Sequence, residues 1–265
     1  MGDTGSEGVS EGGGHRPGGD QRHGDRVIDD SPAARRAAFF ELFGLWLVTL
    51  LLIRAVVELQ IGLGLPEEVL AAVPLLFIYA PVALCNWRGV DSWSYRLSIP
   101  AFRDWQSWGR ALWLTAIVTL FIWPPFLISY HFFQTELNGM SPVGNLPKEL
   151  LTLVAYQLFF VAIPEEFFYR GYFQTRLNEV FARRFLIFGT PMGWGSVLAC
   201  LFFAFGHSLV LFQWWHFATF FPGMVFAWMR ERTGGVVAGA FFHAVCNIGI
   251  VCLDTWYGLR SPFQV

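Results

Sequence analysis

Three short runs set ionisable or hydrogen-bonding side chains among apolar ones, and each could do chemistry. The densest is Ile163-Pro164-Glu165-Glu166-Phe167-Phe168-Tyr169-Arg170-Gly171. Adjacent helical side chains diverge by about 100°, so the two carboxylates cannot share one task. Glu166 and Arg170 stand at i,i+4 with the acid first, the favourable order for an ion pair along one helix face. Glu165 is then left without a counter-ion, and such a carboxylate in a low-dielectric cavity is suited to exchanging protons as a general base. Read otherwise, both glutamates end a helix at headgroup level. The second run, Phe203-Ala204-Phe205-Gly206-His207, closes an apolar stretch on one imidazole, either a catalyst or a satisfied interfacial residue. The third, His243-Ala244-Val245-Cys246-Asn247, puts two hydrogen-bonding side chains one turn apart on one face, facing into a bundle as chemistry or as helix-helix glue. Together they make the set that activates water against a carbonyl: a base to draw the proton, and donors for the oxyanion that forms.

In this order, Glu165-Glu166 with Arg170, Phe203 with His207, and His243 with Asn247 resemble the three motifs of the CPBP (Abi) family of intramembrane endopeptidases, which includes the type II CAAX prenyl endopeptidases. The resemblance spans about residues 147 to 250. It implies that Glu165 and His207 activate the hydrolytic water, that His243 and Asn247 form the oxyanion site, and that Glu166 and Arg170 are structural supports. Glu165, His207 and His243 could also supply the three ligands of a catalytic zinc, but no HExxH pattern favours that, and the glutamate mechanism without a cofactor ranks first.

Such residues need elements to hold them. The chain has 265 residues, 54% hydrophobic and 14% charged, with 12 Trp and 28 Phe, a composition that argues for a membrane protein over a water-soluble globule. A formal net charge of -2 offers no basic surface for nucleic acid. Cys85, Cys200, Cys246 and Cys252 form no CxxC pair and read as small core residues. Nine of the first 24 residues are Gly, so residues 1–36 are expected to be a disordered tail with no cleavable leader. Seven apolar runs of roughly 20 residues follow, near 38–57, 68–85, 110–131, 149–170, 186–208, 213–229 and 235–253. The expected fold is an all-α polytopic transmembrane bundle of seven to eight spans around an intramembrane catalytic cavity. Residues 37–146 form three N-terminal spans, 147–255 the catalytic core, and 256–265 a tail. Arg35 and Arg36 precede the first span, and Arg88, Arg96, Arg103, Arg176, Arg183, Arg184, Arg230 and Arg232 follow even-numbered spans, which places the N-terminus in the cytoplasm. The Gly- and Arg-rich tail suggests a bacterial chain, hence an inner-membrane protein.

Depth poses a problem. A fifth span starting at 186 would carry His207 to the far face, away from Glu165. The Gly189-Thr190-Pro191-Met192-Gly193 break suggests instead a crossing helix from Trp194, with 181–190 along the interface, and a fourth span running on past Arg170. His131, Trp105, Trp108, Trp123, Trp214, Trp215 and His216 read as interfacial anchors, Glu41 and Arg54 as snorkelling or touching a neighbouring helix, and Pro124-Pro125 as a kink. The expected activity is cleavage of a peptide bond near a membrane-embedded, hydrophobic or lipid-modified C-terminal segment of another protein, with membrane lipids as the other partners. A proton-coupled transporter or a non-catalytic immunity or scaffold protein are the rival readings.

Overall fold

A computed structural model describes residues 31–91, 104–211 and 214–259. The tail over 1–30, Arg96, Arg103, the side chains of Trp214 and Trp215, and residues 260–265 lie outside the described residues. Ser31 starts the first helix, its hydroxyl accepting from Ala34 N–H at 3.2 Å, with Pro32 at the first position where a missing N–H costs nothing. Helix α1 therefore covers Pro32–Leu63, so residues 32–36 are helical and not part of a disordered tail. Gly64, at φ 59, ends it.

Helix α2 (Glu67–Trp87) runs back along α1: Arg88, just beyond its end, pairs with Glu41 near the start of α1. Helix α3 (Trp105–Leu137) is capped by Asp104, which accepts from Ser107 N–H at 3.1 Å; the Ser107 hydrogen bonds hold the Asp104 carboxyl below its usual range. Pro124 and Pro125 lie inside this helix. Helix α4 (Leu150–Val180) contains two wide π turns, Gln157–Ala162 and Phe167–Phe173, on either side of Ile163–Glu166. Pro164 explains the first, because its ring crowds the carbonyl four residues back and an i→i+5 turn relieves that clash.

The chain then makes an antiparallel hairpin, β1 (Arg184–Ile187) with β2 (Thr190–Gly193), registered Arg184 to Gly193. Its two-residue turn has positive φ at both Phe188 (47°) and Gly189 (74°). This hairpin takes up most of the segment expected along the interface and is the one departure from helix among the described elements. Trp228 Nε1–H donates to Ile187 O at 3.0 Å and fixes it to the bundle. Helix α5 (Trp194–Leu211) starts where the Gly-Pro break suggested. After a 3₁₀ stretch at Trp214–Thr219 come α6 (Phe220–Thr233) and α7 (Val237–Trp256).

Among the described residues five helices are long and apolar enough to cross a membrane: α1, α2, α3, α4 and α7. The expected seven to eight spans are matched by five on this measure. Helix α5, with 18 residues, rises only about 27 Å, and α6, with 14, about 21 Å, against hydrocarbon about 30 Å thick. The run read as a sixth span is interrupted by the 3₁₀ stretch, and its helix carries Arg230, Glu231 and Arg232.

The surface and interior are inverted relative to a water-soluble protein. Leu151 is 83% and Phe121 73% exposed, while Glu166 and Arg170 are 0% exposed. This distribution fits hydrocarbon outside and a hydrogen-bonded interior, and with the apolar helices it makes the chain an integral membrane protein. Aromatic rings fill the centre: Trp46 meets Phe202 edge-on at 5.0 Å and Tyr169 meets Phe203 edge-on at 5.0 Å. Arg54 donates to Val210 O of α5 at 2.6 Å, the neighbouring-helix contact expected of it.

Two glycines set the closest helix approaches. A Cβ on Gly249 would meet the Trp123 ring at 1.9 Å, so Trp123 packs α3 against α7 instead of anchoring at an interface. A Cβ on Gly195 would lie 2.3 Å from the backbone at Leu177 and Asn178, which cannot move as a side chain can. Gly195→Ala should therefore cost about 1–3 kcal/mol and lower the unfolding midpoint in detergent. Gly109→Ala, with open space around it, should leave the midpoint unchanged or raise it.

Candidate active site

Glu165 and Glu166 lie between the two wide turns of α4 and point to different partners, as their adjacency requires. Glu166 is wholly buried. Its Oε2 lies 3.4 Å from Arg170 Nε, and its Oε1 accepts from His243 Nδ1 at 3.2 Å. The Arg170 guanidinium is wholly buried too, donating to Gly223 O at 3.3 Å and lying 4.6 Å from the Phe203 ring centroid and 5.5 Å from that of Phe226. Gly223 of α6 and Gly239 of α7 leave room for this pair: added Cβ atoms would stand 3.3 Å from Arg170 and 3.1 Å from Glu166.

Glu165 faces a cavity. Its Oε2 is buried without a hydrogen-bond partner, 3.7 Å from His207 Nε2 and 3.9 Å from His243 Nε2. The second nitrogen of each ring is committed. His207 Nδ1 lies 2.9 Å from Phe203 O, and a carbonyl can only accept, so Nδ1 carries the proton and Nε2 presents a lone pair. His243 Nδ1 donates to the Glu166 carboxylate, which again leaves Nε2 toward Glu165. The Phe226 ring stacks on His243 at 4.8 Å and 15°, holding its plane.

Asn247, one turn beyond His243 on α7, donates to Gln157 Oε1 at 2.9 Å. Glu165, His207, His243 and Asn247 all line one cavity of about 460 Å³, walled on the apolar side by Phe203, Phe226 and Ile250. Both adjustments anticipated for depth are present, since α5 begins at Trp194 and α4 continues to Val180.

Some contributors were not singled out from sequence. His216, read as an interfacial anchor, lines the cavity and donates from Nδ1 to His207 O at 3.2 Å. Gln157, buried on α4, fixes the Asn247 amide, and a polar residue amid the apolar run 150–163 was the signal for it. Tyr130, Gln134 and Asp254 line the far end of the cavity; Asp254 is seven residues after Asn247 and so on the same helix face. His131, another expected anchor, is hydrogen-bonded to Tyr257.

As zinc ligands, Glu165, His207 and His243 are loosely spaced. A tetrahedral zinc with bonds near 2.0–2.1 Å holds its donors about 3.3 Å apart, closer than the 3.7 and 3.9 Å here. Among the described residues no group of three or more His, Cys, Asp or Glu is arranged to hold a metal ion. What the arrangement can do chemically is hold a water between a carboxylate and two imidazole nitrogens beside amide donors.

Residues 147–249 match a family model described as type II CAAX prenyl endopeptidase Rce1-like. No curated protein and no solved structure matches the chain.

Arg170→Met would strand the buried Glu166 charge, with an expected loss of about 3–5 kcal/mol in chemical denaturation in detergent. The double variant Glu166→Gln/Arg170→Met should recover most of that loss. Equal losses in single and double variants would show that packing, not charge compensation, is the role of Arg170.

Proposed function

We propose, from the match of residues 147–249 to the type II CAAX prenyl endopeptidase Rce1-like family model, that this membrane protein is a protease that hydrolyses its substrate with water activated by Glu165 and His207. The observation that carries the reading is the unpartnered, buried Glu165 Oε2 facing both histidine Nε2 atoms across a shared cavity. A gap of 3.7 Å between Glu165 and His207 lets one water sit at hydrogen-bond distance, about 2.8 Å, from each. The water oxygen attacks the scissile carbonyl carbon while its proton passes to the Glu165/His207 pair. The carbonyl oxygen becomes an oxyanion, for which the Asn247 N–H not given to Gln157 is a donor. His243 joins it only when it carries a proton on Nε2 as well as on Nδ1, with Glu166 behind the ring. Collapse of the intermediate breaks the C–N bond, and the proton held by the pair goes to the departing amine.

The substrate class we propose is a protein with a hydrophobic or lipid-modified C-terminal segment, delivered through the surrounding lipids and not with nucleic acid. With Arg35 and Arg36 at the start of α1 and Arg88 beyond α2, the N-terminus is assigned to the cytoplasm, in the manner of a bacterial inner-membrane protein. On that assignment the cavity, whose lining continues along α7 to Asp254, extends toward the outer face.

The test is cleavage of a C-terminally tagged membrane peptide by the purified protein, read by mass spectrometry. Glu165→Gln should lower the rate by about 10²–10⁴-fold, and a chelator should leave the wild-type rate unchanged. Full activity in Glu165→Gln rejects Glu165 as the base. Loss under chelation, restored by added zinc, transfers Glu165, His207 and His243 to a ligand role. Glu165-dependent solute flux without cleavage would make the chain a transporter.

A further inference from the structure

The cavity that holds Glu165 has a second polar end which the hydrolysis does not use. There Tyr130 and Gln134 of α3 face Asp254 of α7. Hydrogen-bond directions can be followed along this wall. Asn138 Nδ2 donates to Gln134 Oε1 at 2.9 Å, so the Gln134 oxygen is occupied and its N–H groups remain as donors. Tyr130 O–H donates to Asp254 Oδ1 at 2.6 Å. The Asp254 carboxylate thus accepts from Tyr130, and an ionised carboxylate can only accept.

Among the described residues no cation balances it. Among the described residues ion pairs are made by Arg54, Arg88, Arg170, Arg176, Arg230, His207 and His243, and none of them involves Asp254. A half-buried carboxylate on the wall of an intramembrane cavity is costly without a counter-charge. The group that would relieve it is a cation entering with the ligand, and Ile250 and Leu259 supply an apolar wall for the alkyl stem of such a side chain.

Position narrows the ligand further. Asn247 and Asp254 are two turns apart on one face of α7, about 10.5 Å along its axis. An extended peptide advances about 3.3–3.6 Å per residue, so about three residues separate a carbonyl held at Asn247 from a side chain held at Asp254. We propose that Asp254 is a specificity subsite for a basic side chain, Lys or Arg, within about three residues of the scissile bond. This rests on the protease reading and deepens it. It also distinguishes Asp254 from a mere tether between α3 and α7, since a tether carries no preference for substrate charge.

The test uses the full-length protein in proteoliposomes and synthetic peptides. Each peptide has a Leu/Ala membrane segment and a flank in which one position is Lys, Gln or Glu, scanned through four residues on either side of the cleaved bond. Wild type should favour the best Lys peptide over its Gln counterpart by at least about tenfold in kcat/KM. Asp254→Asn should bring that ratio to about one, Asp254→Glu should keep it, and Asp254→Lys should turn the preference toward Glu peptides. A wild-type ratio near one, or an Asp254→Asn variant that weakens Lys and Gln peptides equally, overturns the subsite and leaves Asp254 as a tether. Binding of the same peptides to Glu165→Gln, read by fluorescence anisotropy, separates the two readings. Tighter binding of Lys peptides that disappears in Glu165→Gln/Asp254→Asn, with no cleavage by wild type, keeps the subsite and rejects the protease. No binding preference in that background rejects the subsite whether or not wild type cleaves.

Discussion

The site depends on one buried carboxylate. Glu166 has no exposed surface and is held from two sides, by Arg170 on its own helix and by His243 on α7. A charge so placed is tolerated in a membrane interior only because it is compensated at once. The compensation has structural consequences. Arg170 carries the connection on to the Gly223 carbonyl of α6 and to the faces of Phe203 and Phe226, so one ion pair joins α4, α5, α6 and α7. Glu166 also decides which nitrogen of His243 is free. By taking Nδ1 it turns Nε2 toward Glu165, and the polar face of the cavity follows from a residue that never enters it.

Helix α4 bears a second buried polar cluster nearer its C-terminal end. Glu231 Oε1 accepts from Arg230 at 2.6 Å, Gln174 at 2.8 Å and Asn178 at 3.1 Å, while Asn178 also accepts from the Ser196 N–H at 3.0 Å. The two clusters are about two turns apart and pin the same helix to α5 and α6. They explain how a helix with two irregular turns holds Glu165 steadily, because polar contacts on both sides of the irregularity fix its rotation. Such contacts are directional, unlike apolar packing, and in a bilayer their groups have no water to turn to.

Much of this was legible in the residue order. The i,i+4 spacing of Glu166 and Arg170 gave their pairing, and the equal spacing of His243 and Asn247 gave their shared face. The apolar runs gave the helices, and the break at Gly189-Thr190-Pro191 gave the start of α5. What escaped was set by contacts distant in sequence. His216 sits in a 3₁₀ stretch among aromatic residues, where no period points to the cavity, and its role depends on the His207 carbonyl. Gln157 matters only because Asn247 arrives opposite it from 90 positions away. Hydropathy sums also do not register that the aromatic stretch before Phe220 leaves the α-helical path, which is why the apolar run over 213–229 does not appear as one long helix.

The π turn over Gln157–Ala162 has a bearing on how this helix tolerates change in length. A wide turn stores one residue more than the α-helical path through the same space. Removing a residue there lets the segment relax to ordinary winding while everything downstream keeps its azimuth. Elsewhere along the same helix a deletion would swing the carboxylates by about 100°. The proline that imposes the bulge thus leaves the carboxylate-bearing part of the helix insulated from small length variation on its N-terminal side, and loops and lipid-facing turns there are free to drift without dismantling the cavity.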